Sequence, residues 1–179
     1  VKRNFNADHP DQLWVADFTY IQTHSGWVYT AFIIDVFSRA IVGWKVSTRM
    51  NTDMVLDALE QALHDRGMPK NVIHHSDRGV QYLSIRYTNR LEAANLRASV
   101  GTTGDSYDNA LAETVNGLYK TEVIEYLKAD WQGLADVQLA TLNWVDWFNK
   151  KRVHSALGYV SPFEFEAMYY DKINPLGQV

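Results

Sequence analysis

Residues 13–47 read LWVADFTYIQTHSGWVYTAFIIDVFSRAIVGWKVS, three runs of aliphatic, aromatic and β-branched residues separated by two short polar interruptions. The first run, 13–21, alternates. Leu13, Val15, Asp17 and Thr19 fall on one face of a strand, and Trp14, Ala16, Phe18 and Tyr20 on the other. Thr23-His24-Ser25-Gly26 is a turn, 27–36 a second strand, Ser38-Arg39 a second turn and 40–47 a third strand. Connections this short join antiparallel neighbours, so the spacing predicts a meander. Asp17 breaks the pattern, because aspartate is poorly suited to a strand interior. It is either an edge or bulge aspartate facing water or a residue retained for function. Asp35, closing the second strand, reads as a turn cap.

Downstream the period changes from two to that of a helix. Asn51-Thr52 caps a helix over 53–66, with Val55, Leu59, Ala62 and Leu63 as its buried stripe and Gly67 and Pro69 as its stop. Residues 71–75 (NVIHH) form a fourth strand running into Ser76-Asp77-Arg78-Gly79. Residues 84–94 form a helix ended by Asn95, and 96–100 (LRASV) a fifth strand. A strand, helix, strand step after a meander lets the fourth strand lie parallel to one of the first three.

The next helix follows the turn-rich Gly104-Asp105-Ser106-Tyr107-Asp108. Ser106 or Asp108 can cap it, and Ala110, Leu111, Val115, Leu118 and Val123 are spaced for burial. Helical spacing puts Asn109, Glu113 and Lys120 on one face. A long helix is expected over 131–149, with Trp144 and Trp147 as core aromatics, followed by Lys150-Lys151-Arg152. These three cations either complement a helix C-terminus or contact a phosphate backbone. Ser161-Pro162-Phe163-Glu164 is a capping box opening a last helix through Tyr169. The expected organisation is an N-terminal arm at 1–12, a core at 13–128 and a C-terminal helical extension of the same domain at 129–179.

A chain of 179 residues, 46% hydrophobic and 21% charged, can bury a sizeable core. It contains no cysteine, which excludes disulfides and thiolate metal sites. It has no run of eighteen apolar residues and no apolar leader in VKRNFNADHPDQ, so a cytoplasmic protein without a membrane partner is expected. The net charge of −4 and pI of about 5.8 argue against a simple nucleic-acid coating protein, but not against an enzyme whose acidic site binds cations.

The candidate chemistry lies in three acids. Asp17 sits within the first strand, and Asp77 just past the C-terminal end of the fourth, where parallel strands carry ligand sites. If those strands are neighbours the two carboxylates meet, and a helix crossing them can add Glu113. Three carboxylates cannot stay ionised together without a counter-charge. Hard divalent cations provide it, and Mg²⁺ favours carboxylate together with substrate phosphate. His75 reads as a strand-end histidine rather than a catalytic one.

Thirty-five residues (78–112) separate Asp77 from Glu113. With the words Trp14-Val15-Ala16-Asp17-Phe18-Thr19-Tyr20, Asp35-Val36-Phe37-Ser38-Arg39, His75-Ser76-Asp77-Arg78-Gly79-Val80-Gln81-Tyr82 and Tyr107-Asp108-Asn109-Ala110, then Glu113, Lys120 and Glu122, this resembles the D,D(35)E arrangement of bacterial insertion-sequence transposases with a retroviral-integrase-like core. The tail from Asn149 to Tyr159 and Ser161-Pro162 fits the same pattern, so the resemblance spans about residues 10–166.

The resemblance implies an α/β RNase H-like fold, a five-stranded mixed sheet of meander plus parallel strands flanked by helices. It implies Asp17, Asp77 and Glu113 as catalytic metal ligands for two Mg²⁺ ions, with Mn²⁺ able to substitute. The implied activity is DNA strand cleavage and 3′-hydroxyl strand transfer during transposition and integration. The implied partners are transposon-end and target DNA and further copies of the chain assembled on them, in the bacterial cytoplasm at the nucleoid. Lys120 matches the family's basic residue on the catalytic helix that contacts end DNA. Asn109, Lys150, Lys151 and Arg152 are further candidate DNA contacts. The alternatives are another RNase H-like nuclease, or a non-catalytic module for DNA docking or self-association.

Two departures stand out. Family members carry helix-turn-helix segments before the core, which suggests an excised catalytic domain or a truncated relic here. Thr114-Val115-Asn116 also replaces the serine and aromatics common after the glutamate, which bears on local packing.

Overall fold

The computed structural model describes residues 7–76, 85–100, 106–127 and 130–175; for 85, 97–100 and 106–109 only the backbone is described. The elements follow in the expected order: β1 (Leu13–Thr23), β2 (Gly26–Asp35), β3 (Ile41–Ser47), α1 (Thr52–Asp65), β4 (Ile73–Ser76), α2 (Ile85–Ala93), β5 (Arg97–Val100), α3 (Ser106–Tyr119), α4 (Leu134–Lys150) and α5 (Pro162–Ile173). They build one five-stranded sheet in the order β3-β2-β1-β4-β5. β1, β2 and β3 pair antiparallel, as their short turns require, while β1–β4 and β4–β5 are parallel.

Alternation along β1 sorts its side chains between two layers. Trp14 and Ala16 join Ala31 and Ile33 beneath α1 and α2, with Val55, Leu59, Leu63, Tyr87 and Leu91. Val15 and Ile21 join Phe32 and Ile34 on the opposite face, beneath α3 and α4, with Val115, Tyr119, Val137, Trp144 and Phe148. Each fully buried aliphatic or aromatic side chain contributes about 1.5–3 kcal/mol, so both layers drive the fold. α1 lies so close to β3 that a Cβ on Gly43 would stand 2.4 Å from the Ala58 carbonyl oxygen. Its ends are those expected: Asn51 accepts from Met54 N–H at 3.1 Å, and Gly67, at φ +74°, closes the C-terminus.

The structure corrects three local expectations. α4 begins at Leu134, not at residue 131. Trp131 precedes it as a buried anchor whose carbonyl and that of Gln132 accept from His24 and Ser25 in the β1–β2 turn, and Asp136 then caps the helix by accepting from the Gln132 and Gly133 amides. Ala110 is exposed, and the buried stripe of α3 is Ala112, Val115 and Tyr119, with Leu111 and Leu118 only flanking it. Tyr119 belongs inside because its hydroxyl has partners, Thr141 Oγ1 at 2.7 Å and Thr30 Oγ1 at 3.2 Å. Finally, of the two tryptophans expected in the core only Trp144 is buried, and Trp147 is exposed because it lies on the outward side of α4. After Tyr119, α3 widens into a π-helical segment, Lys120–Glu125, with Tyr126 N–H bonding back to the Thr121 carbonyl five residues earlier.

Candidate active site

Asp17 lies on the face of β1 that carries Val15 and Thr19, toward α3. Among the described residues, the parallel pairing of β1 with β4 runs from Leu13↔Ile73 to Ala16↔Ser76. Asp17 directly follows Ala16 on β1 and is half-buried. Its Oδ1 accepts from the Phe18 N–H at 2.8 Å, and its Oδ2 accepts from Asn116 Nδ2 at 3.2 Å. Bonds of this kind fix the carboxylate's orientation.

The second of those bonds comes from α3, which crosses β1. Glu113 lies three residues before Asn116 on the same helix and is exposed. Side chains three apart on a helix are neighbours at about 5–6 Å, so Glu113 projects beside the residue that touches Asp17. Lys120, one turn beyond Asn116, is exposed with its Nζ 5.2 Å from the centroid of the Tyr20 ring. Tyr20 is three residues past Asp17, about 10 Å along the strand. The structure therefore brings Asp17, Asn116, Glu113 and Lys120 to one region. Asn116 was marked in the sequence only as part of a departure in local packing, not as a site residue. Its signal was available: it stands at i+3 from Glu113, between the positions four before and seven after that were considered.

Asp77 lies outside the described residues, as do the side chain of Asn109 and those of the candidate caps Ser106 and Asp108. No cluster of three or more His, Asp or Glu suited to a metal ion occurs among the described residues. His75 is buried on β4 beside Val15, on the Asp17 face. His74 faces the other way, 2.7 Å from the Tyr87 hydroxyl, and burial pushes its imidazole down to about 4.

The basic run at the end of α4 divides. Arg152 is half-buried and grips Glu122, with Nη2 to Oε2 at 2.6 Å and Nε to Oε2 at 3.0 Å, while Trp144 Nε1 donates to Glu122 Oε1 at 3.0 Å. Lys150 pairs with Asp146 one turn back at 2.8 Å, on the surface. Lys151 is exposed at the helix end. Arg152 thus has an internal partner, whereas Lys150 and Lys151 face solvent.

A second charged cluster was not legible in the sequence. Arg66, at the end of α1, donates to Glu166 Oε1 at 2.9 Å and Oε2 at 2.6 Å, to Asp11 Oδ1 at 2.8 Å and to Asp35 Oδ2 at 3.2 Å. Asp35 does cap its turn, accepting from Phe37 N–H at 2.8 Å, and also accepts from Asp11 N–H at 2.9 Å. Three carboxylates around one guanidinium leave excess negative charge. Burial pushes Asp35 up to about 7; Glu166 adds to this, and the Asp11 N–H and Arg66 oppose it. The cluster ties the N-terminal segment, β2, α1 and α5 together, away from Asp17.

Two sequence families, each described as an integrase core domain, match residues 7–106 and 94–162. The transposase for insertion sequence element IS629 of Shigella sonnei is 58% identical over 173 residues, which is 97% of this chain and 57% of that protein. A Mycobacterium tuberculosis protein named for insertion sequence element IS986/IS6110 is 53% identical over 175 residues, 95% of this chain and 63% of its own. The chain spans less than two thirds of either relative. Among solved structures, the HTLV-2 integrase catalytic core domain in complex with magnesium (trimeric form) matches with a TM-score of 0.71, over 90% of this chain and 99% of that one, at 18% identity. That likeness is one of fold, the RNase H-like α/β arrangement expected from the sequence.

Proposed function

The chain belongs to the integrase core domain family, and on that premise we propose that it is the catalytic domain of an insertion-sequence transposase, cleaving DNA strands and joining them through a 3′-hydroxyl. The observation that carries this reading is the meeting of α3 with β1 at Asn116 and Asp17, one helical turn from Glu113. The β1–β4 register supports it further. Its last described pair, Ala16↔Ser76, stands one residue before each of the two aspartates, Asp17 and Asp77, in sequence. Residues 13–128 are read as the core and 129–179 as its helical extension, in keeping with Val137, Trp144 and Phe148 sharing the apolar layer of β1 and β2.

The donor set consists of carboxylate oxygens and contains no thiolate, which fits Mg²⁺ or Mn²⁺. Asp17, Asp77 and Glu113 would hold two such ions with DNA present; when bound, they supply the charge that offsets the three acids and stabilises the oxygens of a transferring phosphodiester. Asp17 contributes a carboxylate already oriented by two hydrogen bonds. Lys120 and Asn109, on the Glu113 helix, and the exposed Lys150 and Lys151 contact the phosphate backbone, which positions the DNA without reading its sequence. The partners are transposon-end and target DNA, with further copies of the chain assembled on them, in the bacterial cytoplasm at the nucleoid. Strand transfer of labelled end DNA by the full-length protein tests the reading. Glu113→Gln should abolish it, and activity that survives this substitution removes Glu113 from the reaction.

A further inference from the structure

We propose that Asn116 is a positioning residue of this site: its amide tethers the Asp17 carboxylate to α3 and sets how the Glu113 helix lies on β1. The inference rests on the reading of Asp17 and Glu113 as metal ligands.

An ionised carboxylate only accepts, so the amide of Asn116 must turn its NH₂ end toward Asp17 Oδ2, as found at 3.2 Å. That choice strands the other end. Asn116 Oδ1 is enclosed and has no hydrogen-bond partner among the described residues. A buried acceptor without a donor is destabilising, and folded proteins keep few of them. Packing does not call for asparagine here. Ala112, Val115 and Tyr119 make the neighbouring buried surface, and a leucine at 116 would extend it without an orphaned atom. What asparagine supplies and leucine cannot is the bond to Asp17.

Its place on the helix fits that role. Glu113, Asn116 and Lys120 occur at i, i+3 and i+7, one continuous face. Asn116 is the middle of the three and hydrogen-bonds Asp17 on the strand. The same face therefore holds the acid, the tether and the cation, and the tether fixes the height of the other two over β1. Groups that orient a metal's ligands are typically worth about 10–100-fold in metal affinity.

The test uses the whole chain as wild type, Asn116→Leu, Asp17→Asn and Asp17→Ala. Bound Mn²⁺ is measured by electron paramagnetic resonance, and Tm is recorded alongside. Asn116→Leu is expected to weaken Mn²⁺ binding about tenfold while leaving Tm unchanged or raised, and Asp17→Asn to abolish binding. A lowered Tm with wild-type Mn²⁺ affinity in Asn116→Leu overturns the proposal and leaves the metal site standing. Failure of the metal reading looks different: wild type does not bind Mn²⁺, or Asp17→Asn binds it as wild type does. In that case the side-chain amide resonance of Asn116 decides independently of metal and of how Asn116→Leu folds. One of its NH₂ protons, protected from exchange in wild type and unprotected in Asp17→Ala, supports the tether. Equal exchange in the two chains overturns it.

Discussion

Asn149 completes the edge of the sheet at Ile41. Its Oδ1 accepts from the Ile41 N–H at 2.8 Å and its Nδ2 donates to the Ile41 carbonyl at 2.9 Å, so one side chain near the end of α4 stands where a sixth strand would pair. Both groups belong to β3, the edge strand beyond β2, and Asn149 itself is buried. An edge strand otherwise presents such groups to water or to another chain. Asn149→Ala removes both bonds and strands a buried donor and acceptor, each costing about 1–3 kcal/mol, so a loss of about 2–6 kcal/mol is expected. Urea unfolding with an unchanged m-value measures it; a loss below about 0.5 kcal/mol would show that water replaces the side chain at no cost.

The Asp35 cluster gives the fold a pH dependence of definite sign. Burial raises Asp35 from the ordinary 3.8 to about 7, so the folded chain holds a proton there that the unfolded chain releases above about 4. Its contribution to stability is full below the unfolded pKa and is lost as pH rises through about 7. Asp35→Asn keeps the shape and removes the titration. The difference in stability between Asp35→Asn and wild type should grow in favour of the variant from pH 4 to pH 7 and then level off. A difference that is flat across that range would mean Asp35 does not take up a proton on folding.

The two readings of the basic run separate by residue. Arg152 and Glu122 are half-buried and bidentate, so Arg152→Ala should cost about 1–3 kcal/mol, as charge-assisted hydrogen bonds do. Lys151→Ala should leave Tm within error and weaken DNA binding, with a shallower dependence of log Kd on log salt by about one unit. Thermal melts and fluorescence anisotropy at several salt concentrations distinguish them. The reverse pattern, stability falling with Lys151 and DNA affinity alone with Arg152, would invert the assignment.

Gly43→Ala tests the approach of α1 to β3. The added Cβ would meet the Ala58 carbonyl oxygen at 2.4 Å and the Ala62 Cβ at 3.0 Å, and the first of these is backbone that cannot swing aside. The helix must shift, at a cost of about 1–3 kcal/mol for overpacking. Because α1 packs on the face away from Asp17, Mn²⁺ binding by the folded variant should be unchanged. A Gly43→Ala chain as stable as wild type would mean that the layer is more loosely packed than the distances indicate.

Much of the frame could be read from residues 13–47 because strand alternation is local. Val15 and Trp14 must point to opposite sides wherever the strand is placed, and the two short turns dictate antiparallel neighbours. The line-up of Glu113 with Lys120 was legible for the same reason, since helical spacing depends only on the residues between them. The stripe of α3 was less so. Hydrophobicity ranked Ala110 with Leu111 and passed over Tyr119, yet Tyr119 is enclosed because Thr30 and Thr141, far away in the chain, satisfy its hydroxyl.

What the sequence by itself determined is therefore periodic: which faces are apolar, where helices are capped, and that an aspartate interrupts a strand. Tertiary structure decided the pairings. Arg66 meets Glu166 a hundred residues away, Arg152 takes Glu122, and Asn116 reaches Asp17 across the α3–β1 crossing. Each of these depends on the height and angle at which one element lies on another. That geometry is set by the packing of whole side-chain layers, and no local spacing encodes it.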